Sequence, residues 1–559
     1  MADFRKWVLV LAVLAALVVP ASAQVASCTV SSSNQPIRAE GLTEQVGQIT
    51  LICTPTTGFT ATTANFTAFF TTPVTNKIIS GTTGTDVVLT NSTGSVSVAG
   101  TIGGSNSLIF NGVAVPATGD IFTISNVRVN ANAVGTGGSV SVIMSASSPG
   151  NNVLFTGIPT AQVANVQTGL AFAIASGSSA VNPGPVSFTQ CSAPTIKLVD
   201  LNFTEGFAAS FKPWVLENGT VTPPGTATQG TRIFARFSGI PGNVNIAVPE
   251  FLPASAGSLA AATAVLVGFD ATAKGSSAPV TTPGSSVATP VSSSSAFFNA
   301  FSSGSSPANP AFLVPSGGTP VYEITGNNIS TSAVDVVTMT VAIQITPGVA
   351  VTSTSAPPTV SGGFAPISTV STPAPTSGTG SAPYPRFVDV ANQNKTLFSV
   401  SACVTNLLFP FVTNQAGFDT GVALINTSLD NGTGTGTPFA TTPQSGTCTV
   451  YYFGSMSSGA ATPSPQTTPT IAAGQMYAFA LSAGGVAGST TSAAGFQGYL
   501  IARCNFQFAH GYAFVSDLGA QKLAHGYLAL VIPDRGPTGG RLADPFNTAG
   551  AGSGEQLVR

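Results

Sequence analysis

The sequence predicts an all-β chain: several β-sandwich modules, immunoglobulin-like or jelly-roll-like, joined by Ser/Thr/Pro/Gly-rich linkers. Short apolar–polar alternations recur along the chain between Gly, Pro and Asn, and no segment holds a long 3.6-residue period. Only 6% of the residues are charged while 43% are hydrophobic, against roughly a quarter charged in an ordinary soluble protein. The 559 residues are enough for three or four domains of usual size.

The elements follow in order. Residues 1–23 read as a signal peptide: Arg5 and Lys6 precede the apolar run Trp7 to Val19, and Ala21-Ser22-Ala23 supplies small residues for cleavage. Residues 24–166 form the expected N-terminal sandwich. Ile49, Leu51 and Cys53 alternate with polar neighbours, and Leu108 to Val115, Ile121 to Val129 and Val140 to Met144 give further strands. Residues 167–351 form the middle sandwich, with strands at Arg232 to Phe237, Val244 to Val248, Val321 to Thr325 and Val334 to Ile345. Within it, 276–307 is rich in Ser, Pro and Ala and reads as a mobile loop, and Thr204 to Phe211 is a weak helix candidate. Residues 352–383 read as an extended linker with little to bury. Residues 384–534 form the C-terminal sandwich, and 535–559 a flexible tail. Pro410 cannot donate to a ladder, so its strand is expected at an edge or a bulge.

Charge and export narrow the function. With Arg5, Lys6 and Asp3 removed, 17 basic and 19 acidic groups become 15 and 18, a net charge of −3. No basic patch can be built from that, so nucleic acid is excluded as a partner. No segment after the leader reaches spanning length, so no transmembrane span is expected in the mature chain. A secreted or cell-surface location follows. Six cysteines, an even number, suit disulfides there: Cys28, Cys53, Cys191, Cys403, Cys448 and Cys504. Cys28 with Cys53 is the local pairing. Cys448 and Cys504 fall on the apolar phase of their strands, which favours a bridge inside the core and leaves Cys191 with Cys403.

Several strings resemble a group of large exported bacterial proteins, of acidobacterial type and without assigned function. They are Arg38-Ala39-Glu40-Gly41-Leu42-Thr43-Glu44, Leu51-Ile52-Cys53-Thr54, Phe203-Thr204-Glu205-Gly206-Phe207-Ala208, Leu407-Leu408-Phe409-Pro410-Phe411-Val412, Gly417-Phe418-Asp419-Thr420-Gly421 and Cys504-Asn505-Phe506-Gln507-Phe508-Ala509-His510-Gly511. The resemblance implies export and a β-rich build, and it brings no catalytic residue.

Catalytic patterns are sparse, and neither an enzyme nor a cofactor is expected. Asp419-Thr420-Gly421 matches the aspartic-protease tripeptide, but that chemistry needs two such carboxylates and no second copy is present. It reads as a turn between strands. His510 and His525 recur in the repeated Ala-His-Gly-Tyr and could lie on neighbouring strands, yet two imidazoles make a poor metal site, so no metal is expected. Glu205, Glu250 and Glu323 sit in no recognisable constellation and read as surface or turn residues. Tyr451, Tyr477, Tyr499, Tyr512 and Tyr527 could form an aromatic face for a glycan. The favoured expectation is a non-catalytic structural or adhesive protein, self-associating or held to an extracellular polymer. An extracellular carbohydrate-binding protein is the first alternative and a secreted hydrolase the second. Low charge weakens repulsion between copies, and lysines that guard strand edges are scarce.

Overall fold

The computed structural model describes residues 24–79, 83–177, 180–189, 196–218, 227–252, 263–270, 311–326, 334–345, 356–375, 382–389, 394–401, 404–429, 443–486 and 490–532. The expected leader, the 276–307 loop, the 535–559 tail, Cys191 and Cys403 lie outside these residues.

The chain is all-β and multidomain. Ala26 to Gln167 builds one curled sheet whose path runs Val153–Phe155, Ala26–Ser32, Ile49–Pro55, Asp120–Ser125, Gly84–Asn91, Ser97–Gly104, Ser107–Val115, Thr62–Phe70, Ser139–Ser147, Thr160–Gln167, Gln35–Arg38. Its inward positions, among them Leu51, Phe66, Phe110 and Phe122, share one core. Cys28 stands directly opposite Cys53 in the antiparallel ladder, and the two are bonded.

The next core lies between two sheets. One runs Leu170–Ile174, Ile196–Glu205, Val336–Ile345, Val244–Pro249, Ala311–Leu313. The other runs Phe251–Leu252, Thr263–Gly268, Val321–Gly326, Arg232–Ser238, Thr359–Ala365, Lys395–Thr396. Three expectations fail here. Thr359–Ala365, placed in the 352–383 linker, is a buried strand pairing with Arg232–Ser238 along its length. Its small residues serve packing: a Cβ at Gly362 would come within 2.4 Å of the Phe172 ring. Lys395–Thr396 and Phe398–Ser401 also pair within this region, so the C-terminal sandwich starts with Thr405–Thr413 and not at 384. Finally, 204–211 is not helical. Thr204 and Glu205 end a strand, and the helix is Trp214–Asn218.

The C-terminal sandwich packs two five-stranded sheets. One runs Gln466–Thr467, Cys448–Met456, Phe496–Cys504, Thr405–Thr413, Leu530–Ile532. The other runs Gly484–Gly485, Met476–Ala480, Asp419–Asn426, Ala509–Ser516, Ala524–Leu528. Cys448 and Cys504 are fully buried, face each other across the first sheet and are bonded. Pro410 sits in an inner strand, where a register shift between Phe409 and Val412 absorbs it.

Candidate functional site

Among the described residues, most charged side chains lie inside the protein. Fifteen of the described charged side chains are buried: Arg38, Glu44, Lys77, Asp86, Arg128, Asp200, Glu205, Glu217, Arg232, Glu250, Glu323, Asp335, Arg386, Asp419 and Asp517. Glu205, Glu250 and Glu323, read from sequence as surface or turn groups, are among them. A buried charge needs a partner or hydrogen bonds: Arg38, Glu44, Arg128, Glu217, Arg232 and Glu323 are ion-paired, and Asp86, Asp200, Asp419 and Arg386 are held by hydrogen bonds. Glu323 takes Arg232 Nη2 at 2.7 Å.

The largest cluster joins the first two domains. Arg38 Nε donates to both oxygens of Glu44 at 2.9 and 3.0 Å, and its Nη2 reaches Glu217 Oε1 at 2.5 Å. Its Nη1 donates to Ser210 O at 3.1 Å and Thr231 Oγ1 at 2.7 Å. The guanidinium also lies over the rings of Phe387 and Phe364, at 4.8 and 5.6 Å. Arg128 donates to the Glu217 carbonyl. Burial alone would raise the Glu217 carboxyl, but the cations of Arg38, Lys212 and Arg128 hold it below its ordinary value. The segment 384–388 crosses back to the N-terminal domain: Tyr384 donates to Thr75 O at 2.7 Å, and Leu42 N donates to Arg386 O at 2.9 Å. Most of these groups are satisfied within the cluster, which fastens the two domains, while Thr75 Oγ1, Glu217 Oε2 and Arg386 Nη1 are buried without a hydrogen-bond partner.

Glu205 gives a pH signature. Burial, then the neighbouring Asp335 charge, push its carboxyl up to about 7 from 4.5, against hydrogen bonds from Phe211 N and Asp335 N. The folded state therefore binds a proton that the unfolded chain has released. The contribution is complete below pH 4.5 and is lost as pH rises through about 7. Raising pH from 5 to 8 is expected to weaken the middle sandwich by on the order of 2 kcal/mol. Guanidinium midpoints at the two pH values check this, with Glu205→Gln removing most of the slope.

The sequence-derived site residues do not converge. Asp419 is buried at a strand start, accepting from Asn414 Nδ2, Thr420 N and Ser482 Oγ at 2.9, 2.9 and 2.5 Å. This is a turn anchor. His510 stands opposite Ile425 and His525 opposite Val515, so the register separates the two imidazoles. Among the described residues no group of three or more His, Cys, Asp or Glu could hold a metal. The five tyrosines do not share a face. Tyr477 points into the core, bonded to Thr490 Oγ1 at 2.7 Å, and Tyr527 donates to the Phe411 carbonyl. Tyr451 and Tyr499 lie outward on one sheet, where Tyr499 stacks on Phe453 at 5.0 Å, and Tyr512 lies outward on the other. Each stands on a different strand, the strands divide between two sheets, and the phase of each strand sets whether its tyrosine faces in or out.

The surface that sequence reading missed is the outer face of the second C-terminal sheet. Gly421, Ala423, Ala478 and Ala480 make a flat floor, with Tyr512 and Phe514 on one side and Val486 on the other, around a shallow groove of about 370 Å³. Tyr512 is 40% exposed, Phe514 44%, Leu528 58% and Met476 61%. Among the described residues no charged side chain lines the groove. The signal was available in the outward phase of Ala509–Ser516, where Tyr512 and Phe514 alternate with buried Gly511, Ala513 and Val515. A second pocket, of about 340 Å³, lies between the Phe237–Ile246 and Val314–Gly318 loops and has no ionisable lining residue.

No protein-family model and no curated protein matches the sequence. Among solved structures, the chain is similar to the serine-rich repeat adhesion glycoprotein Srr1 of Streptococcus agalactiae, at TM-score 0.17 and 9% identity, over 62% of this chain and 93% of that one. It is similar to the T6 backbone pilin of serotype M6 Streptococcus pyogenes, at TM-score 0.23 and 9% identity, over 91% and 81%. It is also similar to the CupB6 tip adhesin of Pseudomonas aeruginosa, at TM-score 0.14 and 13% identity, over 67% and 98%. At these scores the likeness defines neither a shared topology nor a shared role.

Proposed function

We propose that this chain is an exported, non-catalytic structural or adhesive protein that makes its contacts through the outer face of the C-terminal sheet bearing Tyr512 and Phe514. The observation that carries the reading is the division of polarity: among the described residues most charged side chains are turned inward, while this face is apolar, exposed and uncharged. An exposed apolar patch of this kind marks a contact surface more often than a catalytic one. A glycan reading is weaker at this groove, because Tyr512 alone among its lining side chains carries a hydrogen-bonding group. Phe514→Lys places a charge on the face without touching the core. It is expected to weaken self-association of the mature chain at least tenfold by sedimentation velocity, with unchanged circular dichroism. Association equal to that of the unsubstituted chain removes this face from the account.

A further inference from the structure

Resting on that reading, we infer that the strand Ala524–Leu528 is a homotypic edge: a second copy of this chain docks on it antiparallel, about a two-fold axis at Gly526. The strand ends its sheet, pairing on one side with Ala509–Ser516. Ala529 N donates to Gly511 O at 2.8 Å, and Asp517 N to Leu523 O at 3.1 Å. Antiparallel pairs alternate between bonded and non-bonded. The residues between these two bonds must therefore turn the backbone groups of His525 and Tyr527 inward and those of Ala524, Gly526 and Leu528 outward. Among the described residues nothing pairs with that outward row.

Self-complementarity selects the occupant. Antiparallel pairing centred on Gly526 sets Ala524 against Leu528 of the second copy and Gly526 against Gly526, so every open residue finds a partner. A register moved by two leaves one residue of each copy unpaired. No Asp, Glu, Lys, Arg or Pro lies within Ala524–Leu528, so the usual edge guards are missing. Gly526 has a further part: a Cβ there would come within 1.9 Å of the Tyr512 hydroxyl. The Tyr512 ring thus leans over the glycine, and pairing would bring the two apolar faces into one continuous surface. An isologous contact of this kind needs no other molecule.

The experiment uses the mature full-length chain. The double variant Ala524→Cys with Leu528→Cys is expected to give a reducible covalent dimer under mild oxidation, with native disulfides verified by peptide mapping. Either single variant is expected to cross-link far less, because each new thiol then faces an unsubstituted residue. Equal cross-linking in single and double variants overturns the register. Ala524→Pro removes one outward N–H at the first strand position and spares the inner ladder. It is expected to weaken association at least tenfold. Undiminished association in Ala524→Pro overturns edge pairing, and the contact face is judged separately by Phe514→Lys.

Discussion

Arg38→Met is expected to lower the stability of the joined N-terminal and middle domains by about 3–5 kcal/mol. The methionine fills much of the stem volume but leaves the carboxylates of Glu44 and Glu217 buried at one site without their shared cation. Of the remaining cations, Arg128 approaches Glu217 only at 3.6 Å, and Lys212 acts on it without a direct ion pair. Removing one partner of a buried ionic set is costlier than the set is stabilising, because the stranded charge keeps its desolvation penalty. The loss falls on an inter-domain contact, since Arg38 belongs to the first sheet while Glu217, Ser210 and Thr231 belong to the middle region. Calorimetry should therefore show one cooperative transition dividing into two. Arg38→Lys keeps the charge but loses the forked donor geometry, and it should fall between the two. A loss below about 1 kcal/mol for Arg38→Met would mean the cluster does not fasten the domains.

Replacing Cys448 and Cys504 together by alanine is the second large effect, with about 4 kcal/mol lost from the C-terminal sandwich. The bridge joins residues 56 apart in sequence. Restricting a loop of that length in the unfolded chain accounts for about 4 kcal/mol in the chain-entropy treatment. The paired strands would still align, so the fold should persist at low temperature with a lower denaturant midpoint. The Cys28–Cys53 loop, at 25 residues, restricts less chain, and its removal is expected to cost about 3.5 kcal/mol. Denaturation followed by intrinsic tyrosine fluorescence is weighted to the C-terminal domain, which holds six of the eight tyrosines, with Tyr452 and Tyr477 in its core. A loss under about 1 kcal/mol in the Cys448 and Cys504 variant would contradict the assignment.

What could be read from the sequence was what depends on alternation. The strands around Cys448 and Cys504 betray their inward phase because Val450, Tyr452 and Phe506 share it. What could not be read depends on partners distant in sequence. Thr359–Ala365 looks like a linker because Ser361, Gly362 and Gly363 are small, yet smallness is what admits Phe172. Tyr384 and Arg386 look like the start of a domain, yet their partners are Thr75 and Thr43. A low count of charges suggests a weakly charged surface but does not say that so many of the remainder are internal. For Arg38, the pairing residue Glu217 lies 179 positions away, and no local pattern announces it.

The resemblance to acidobacterial-type exported proteins stays an expectation for this chain, as does the bond between Cys191 and Cys403. Buried charges fasten the first two domains from within, and the face proposed for outside contacts is neutral. Sedimentation equilibrium of the mature chain at low and high sodium chloride tests this most directly. Association through an uncharged surface should be concentration-dependent and unchanged or strengthened by salt, since screening has nothing to weaken. A chain that stays monomeric at high concentration, or an assembly that salt dissociates, would contradict it.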